Sequence, residues 1–68
     1  MKYTIEYEQE EDGRWLAEVV ELPGVLAYGN TIDEAISRVQ ALALRVLADQ
    51  IEQGERDSRL INIVFAAA

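Results

Sequence analysis

The chain has 68 residues, 6 basic and 13 acidic side chains, a net charge of -7, and neither cysteine nor histidine. A chain this short buries only about 60% of its unfolded surface, so it holds one modest core and association is a natural supplement. Disulfides, thiol or imidazole zinc sites and histidine-based catalysis are excluded, and the acidic balance opposes unaided contact with phosphate backbones or anionic membranes.

Lys2 to Glu8 alternates Tyr3, Ile5 and Tyr7 with Lys2, Thr4, Glu6 and Glu8, the period-2 pattern of a half-buried strand. The polar stretch after it ends in Asp12-Gly13, a turn signal because glycine accepts positive φ and aspartate bonds its own backbone. Arg14 to Val20 is then the return strand, with Trp15, Ala17 and Val19 on one face. Leu16 and Val20 add apolar surface to the other, so this strand is expected to be covered on both sides. Leu22-Pro23-Gly24 ends the pairing, since proline has no amide hydrogen to give a sheet, and Val25 to Tyr28 is a short third strand.

Gly29-Asn30 closes that strand, and Thr31-Ile32-Asp33-Glu34 has the spacing of a capping box, with two acids favouring the helix dipole. From Ile32 the positions Ala35, Ile36, Val39, Leu42, Ala43, Val46, Leu47 and Ile51 recur at spacings of three and four. They predict a helix of about five turns whose apolar stripe lies on the sheet. Ala41, Leu44 and Ala48 make a second apolar strip on that helix, an expected oligomer interface for a homodimer or homotetramer. Gly54 is the expected stop, Glu55 to Ser58 a polar link, Arg59 to Phe65 a last β-branched strand, and Ala66 to Ala68 a frayed end.

The order β-β-β-α-β predicts an α+β two-layer sandwich, an antiparallel hairpin sheet with one long helix packed on one face. One domain is expected over residues 1–68, with no repeat or linker. The amino end lacks a basic flank followed by an apolar run, and nothing approaches the ~18 apolar residues of a membrane span. A cytoplasmic protein with no membrane partner, no direct nucleic-acid contact and no cofactor is expected.

Three constellations invite a chemical reading. Glu8, Glu10, Asp12 and Gly13 match the start of a calcium-binding loop, but the twelfth position falls on Val19 and the next segment reads as strand, which favours a solvated turn. Glu6, Glu18 and Glu34 are candidate carboxylates for two-metal hydrolysis, although Glu34 already has a capping role. Trp15, Tyr3 and Tyr7 are a conceivable base-stacking platform, opposed by the neighbouring Glu6, Glu8 and Glu18 and better explained as core. No set forms a catalytic triad, and no catalytic residue or metal site is assigned.

Tyr3-x-Ile5, Asp12-Gly13-x-Trp15, Glu21-Leu22-Pro23-Gly24, Gly29-x-Thr31 and Glu34-Ala35, in this order and with these gaps, resemble the amino-terminal domain of the HicB-like antitoxins. The likeness covers about the first 50 residues. It implies a partial ribonuclease-H-like fold and a type II toxin-antitoxin role, in which the domain binds and neutralises a small basic mRNA-cleaving toxin (HicA-like). The family often adds a carboxy-terminal DNA-binding domain, which is not expected here, and often has cysteine where this chain has Val25. Expected partner contacts are Glu18, Glu21, Leu22, Pro23 and Tyr28. The alternatives are an orphan oligomeric interaction module without a toxin and, third, a ribonuclease-H-like nuclease.

Overall fold

The computed structural model describes residues 1–56 and 62–68. The elements are β1 (Lys2–Gln9), β2 (Trp15–Val19), β3 (Leu26–Gly29), α1 (Ile32–Glu52) and β4 (Val64–Ala67). They form one sheet of order β3-β2-β1-β4 with the helix on a single face. The first three strands pair antiparallel, whereas β4 runs parallel to β1, so the sheet is mixed.

The turns follow from local chemistry. Between β1 and β2, Gly13 takes φ +92°, and the Arg14 amide donates to Asp12 Oδ1 at 3.0 Å while the Glu10 amide donates to the Arg14 carbonyl at 2.7 Å. Between β2 and β3 the chain doubles back: the Leu22 amide donates to the Val19 carbonyl at 3.1 Å and the Val25 amide to the Leu22 carbonyl at 3.0 Å. That winding turns Leu22 and Val25 inward and leaves Pro23 and Gly24 exposed.

The core joins Tyr3, Ile5, Ala17, Val19, Leu22 and Val25 to Ala35, Val39, Ala43 and Leu47 of the helix. The four helical residues are spaced by four, one ridge laid along the sheet, and Ile36, Leu42 and Val46 flank it. Phe65 extends the core at the β4 end, its ring centroid 5.7 Å from that of Tyr3. α1 spans 21 residues, about 32 Å at 1.5 Å per residue. It ends where Gly54 adopts φ +73° and the Gly54 and Glu55 amides donate to the Ile51 and Gln50 carbonyls.

The helix start is seated against the end of β3. A Cβ on Gly29 would lie 2.5 Å from the Ala35 nitrogen and 2.9 Å from the Glu34 carbonyl carbon, both main-chain atoms. Glycine is required there by close approach, since its backbone is not in the left-handed region. Thr31 Oγ1 accepts from the Glu34 amide at 3.1 Å, and Glu34 Oε1 accepts from the Asn30 amide at 3.2 Å, one residue ahead of the usual capping-box target. Arg38 then bridges back, 3.0 Å from Glu34 Oε1 and 3.0 Å from the Tyr28 carbonyl that receives its proton.

Four expectations change. β2 is covered on one side only: Glu18 is exposed, Leu16 half-buried, and Val20, just past the strand, is 48% exposed, because the single helix leaves the other face open. Residues 59–61 of the expected Arg59–Phe65 strand, and 57–58 of the expected link, lie outside the described residues, and β4 begins at Val64. Ala66 and Ala67 are not frayed but pair with Thr4 and Ile5, because the parallel register against β1 continues through the two alanines. Leu22 is only 6% exposed, which removes it from any surface contact set.

Gly29→Ala therefore should destabilise the domain by about 1–3 kcal/mol, the range for forcing an atom into a packed site. Thr31→Ala should cost about 1 kcal/mol, the worth of one cap. Urea denaturation of both variants tests the order: a Gly29→Ala protein as stable as the parent would show that the helix start is free to shift.

Candidate protein-docking face

Strand pairing sorts the side chains onto two faces. Tyr3, Ile5, Ala17 and Val19 face the helix, so their neighbours Thr4, Glu6, Glu8, Leu16, Glu18, Leu26 and Tyr28, with Val64 and Ala66, face away from it. Among the described residues no helix covers this second face. Leu16 stands opposite Tyr28, and Leu26 opposite Glu18, so the apolar residues of β2 and β3 adjoin one another. Leu26 is 41% and Tyr28 37% exposed.

Tyr28 is held in place from two directions. Its carbonyl receives the Arg38 hydrogen bond, and the Arg14 guanidinium lies over its ring, 4.4 Å from the centroid. Arg14 is itself anchored to Asp12, Nε to Oδ2, at 2.7 Å. The bond from the Arg14 amide holds the Asp12 carboxyl below its ordinary range. Most of the positive charge of Arg14 is thereby answered within the turn.

Beside the apolar strip the face is acidic. Glu6 and Glu18 are directly opposite on neighbouring strands, an arrangement in which like charges repel and the sheet is weakened. A shallow depression of about 100 Å³ lies there, lined by Glu6, Tyr7, Glu8, Leu16 and Glu18. Neither of the two ion pairs among the described residues involves Glu6, Glu8 or Glu18.

The five expected contact residues do not share one surface. Glu18 and Tyr28 meet on the open face. Glu21 lies at its margin, where Oε1 accepts the Thr4 amide at 2.7 Å, and that bond lowers its pKa from the ordinary 4.5. Pro23 is exposed on the β2–β3 loop, and Leu22 is core. Leu16, Leu26, Glu6 and Glu8, which share the open face with Glu18 and Tyr28, were not among the expected contacts. Alternation along β1 marked both glutamates as outward, but only the cross-strand register shows Glu6 against Glu18 and Leu16 against Tyr28.

The remaining candidates separate. Glu34 is at the helix start, engaged with Asn30 and Arg38, on the opposite side of the sheet from Glu6 and Glu18, so the three carboxylates do not converge. Glu8 and Glu10 sit on the hairpin beside Asp12, whose carboxylate is occupied by Arg14. Trp15 packs on the core and Tyr3 is buried, while Tyr7, on the helix-facing side, reaches Trp15 at 6.5 Å between centroids. Ala41, Leu44 and Ala48 occupy one flank of the helix, with Leu44 47% exposed. No described helix is long and apolar enough to cross a membrane.

Two outcomes follow from these electrostatics. Glu18→Gln should raise stability by roughly 0.2–1 kcal/mol at low salt, the range of a cross-strand pair, and the gain should shrink as salt screens it; a loss of stability would show that Glu18 is not opposed by Glu6. Because the folded-state pKa of Glu21 is depressed, its contribution is present above the ordinary carboxylate range and is lost as pH falls through the folded value. Glu21→Gln should accordingly be less stable than the parent at pH 7, and the difference should vanish once the Glu21 carboxyl of the parent is protonated, as read from thermal unfolding across pH. No protein-family model, curated protein or solved structure matches the chain.

Proposed function

We propose that this chain is a non-catalytic binding domain that docks a small basic protein on the helix-free face of its sheet. The observation that carries the reading is the composition of that face: a contiguous apolar strip of Leu16, Leu26 and Tyr28 bordered by Glu6, Glu8 and Glu18. An apolar centre within a charged border is the anatomy of a protein interface, and tyrosine is a frequent anchor in one. The charge of -7 gives the border its partner: acidic side chains steer and select a basic surface.

The resemblance to HicB-like antitoxins supplies the class of partner, a small basic mRNA-cleaving toxin in a cytoplasmic toxin-antitoxin pair. In this reading the domain neutralises by covering. Glu6 and Glu18 oppose each other across the strands in the free protein, and a lysine or arginine placed between them relieves that repulsion on binding. Tyr28, steadied by Arg14 and Arg38, offers a ring whose position is set before the partner arrives.

The test is co-expression with the small basic protein encoded nearest to this gene, followed by titration calorimetry and an RNA-cleavage assay. Reversal of Glu6 and Glu18 together to lysine should weaken binding roughly tenfold to hundredfold and release cleavage. Reversal of Asp49 and Glu52 on the helix makes the same change in net charge and should leave affinity within about twofold. Equal losses from both pairs would reduce the effect to overall charge, and no loss from the first pair would move the partner off this face.

A further inference from the structure

The two outer edges of the sheet are finished differently. At β3 the Val19 amide bonds the Val25 carbonyl, and by alternation the main-chain groups of Leu26 and Tyr28 point away from β2. That edge is guarded, because the Tyr28 carbonyl is occupied by Arg38, whose charge stands beside the strand. At β4 the Val64 amide donates to the Met1 carbonyl at 2.9 Å and the Ala68 amide to the Ile5 carbonyl at 2.8 Å. The alternate residues, Phe65 and Ala67, therefore aim their amides and carbonyls outward.

Sheet edges are ordinarily blunted by charge, proline, a bulge or a covering element. β4 is Val-Phe-Ala-Ala, and among the described residues nothing pairs with its outer side.

We propose that β4 is a homodimerisation edge, on which a second copy of this chain adds its own β4 antiparallel to make one continuous eight-stranded sheet. Self-pairing is favoured by three features. An uncharged strand meets its own copy without a like-charge contact. Phe65 of one copy opposite Ala67 of the other lets outward-pointing residues exchange both main-chain hydrogen bonds, with the small Ala66 at the two-fold axis. The charge near β4 also differs from that of the hairpin: Lys2 and Arg56 lie there, Arg56 Nη1 3.1 Å from Met1 Sδ, with Glu21 the acid beside Lys2, while Glu10, Glu11 and Asp12 lie on the hairpin at the other end of β1. Two copies of net charge -7 thus meet less repulsion at this edge than at the hairpin end. The docking face proposed above extends across the joined sheets and stays open, so the dimer presents two such faces.

Ala67→Pro removes an outward amide while sparing the bonds to β1, a position at which an edge strand tolerates proline. Sedimentation equilibrium of the full chain should show a dimer for the parent, and for Ala67→Pro a dissociation constant raised at least about tenfold with an unchanged far-ultraviolet spectrum. Leu44→Asp, on the helix strip, should leave the dimer intact. Amide exchange on the parent gives an independent reading if the proline variant fails to fold: the Phe65 and Ala67 amides should gain protection as concentration rises, in step with the mass. A monomeric parent, a folded Ala67→Pro that still dimerises, dissociation by Leu44→Asp instead, or a dimer with unprotected Phe65 and Ala67 amides would each overturn the proposal.

Discussion

The contact between Gly29 and the first turn of the helix is the constraint on which the other features depend. With no side chain at Gly29, the end of β3 and the start of α1 meet main chain to main chain. That seat sets where Thr31 and Glu34 find their amides, and it brings Arg38 within reach of both Glu34 and the Tyr28 carbonyl. From there the effect crosses the sheet. Tyr28 is the last-but-one residue of β3, and the strand that the helix holds by its backbone carries its ring on the far side, over which Arg14 lies. A packing requirement on one face thereby orders a side chain on the other.

The sheet is shared by two surfaces with opposite demands. On the helix side, small residues at Ala35 and Ala43 let the helix ridge lie close, and burial of large side chains supplies the stabilisation, of the order of 25 cal/mol per Å² of apolar surface removed from water. On the open side, the glutamate opposition across β1 and β2 works against the fold. A small domain has little stability to spare, and on this face it carries both a like-charge opposition and the exposed Leu26 and Tyr28.

Much of this was legible in the residues because local signals agreed. Alternation in β1, Asp12-Gly13, the Thr31–Glu34 cap and the three-and-four spacing in α1 each specify a short stretch of backbone, and together they leave few ways to assemble it. What escaped was non-local. Leu22 was expected among the partner contacts, but hydrogen bonds at Val19 and Val25 fold it inward. Ala66 and Ala67 have low strand propensity, and the register of β1 draws them into the sheet regardless. The meeting of Leu16 with Tyr28 and of Glu6 with Glu18 depends on which residues stand across from each other, which a one-dimensional pattern does not encode. The motif pieces that carry the family resemblance also divide: Gly29, Thr31 and Glu34 have structural duties, whereas the surface that would receive a partner is built largely outside them.

The parallel pairing of β4 with β1 joins positions at opposite ends of the sequence, since Val64 lies beside Lys2. Every other pairing in the sheet links strands adjacent in the chain. Closing so long a loop carries the largest entropic cost in the fold, and it is repaid only after the hairpins and helix have formed a surface to receive the strand. Without β4 in place the outer edge of β1 is itself unprotected, its main-chain groups open to pairing with the wrong strand.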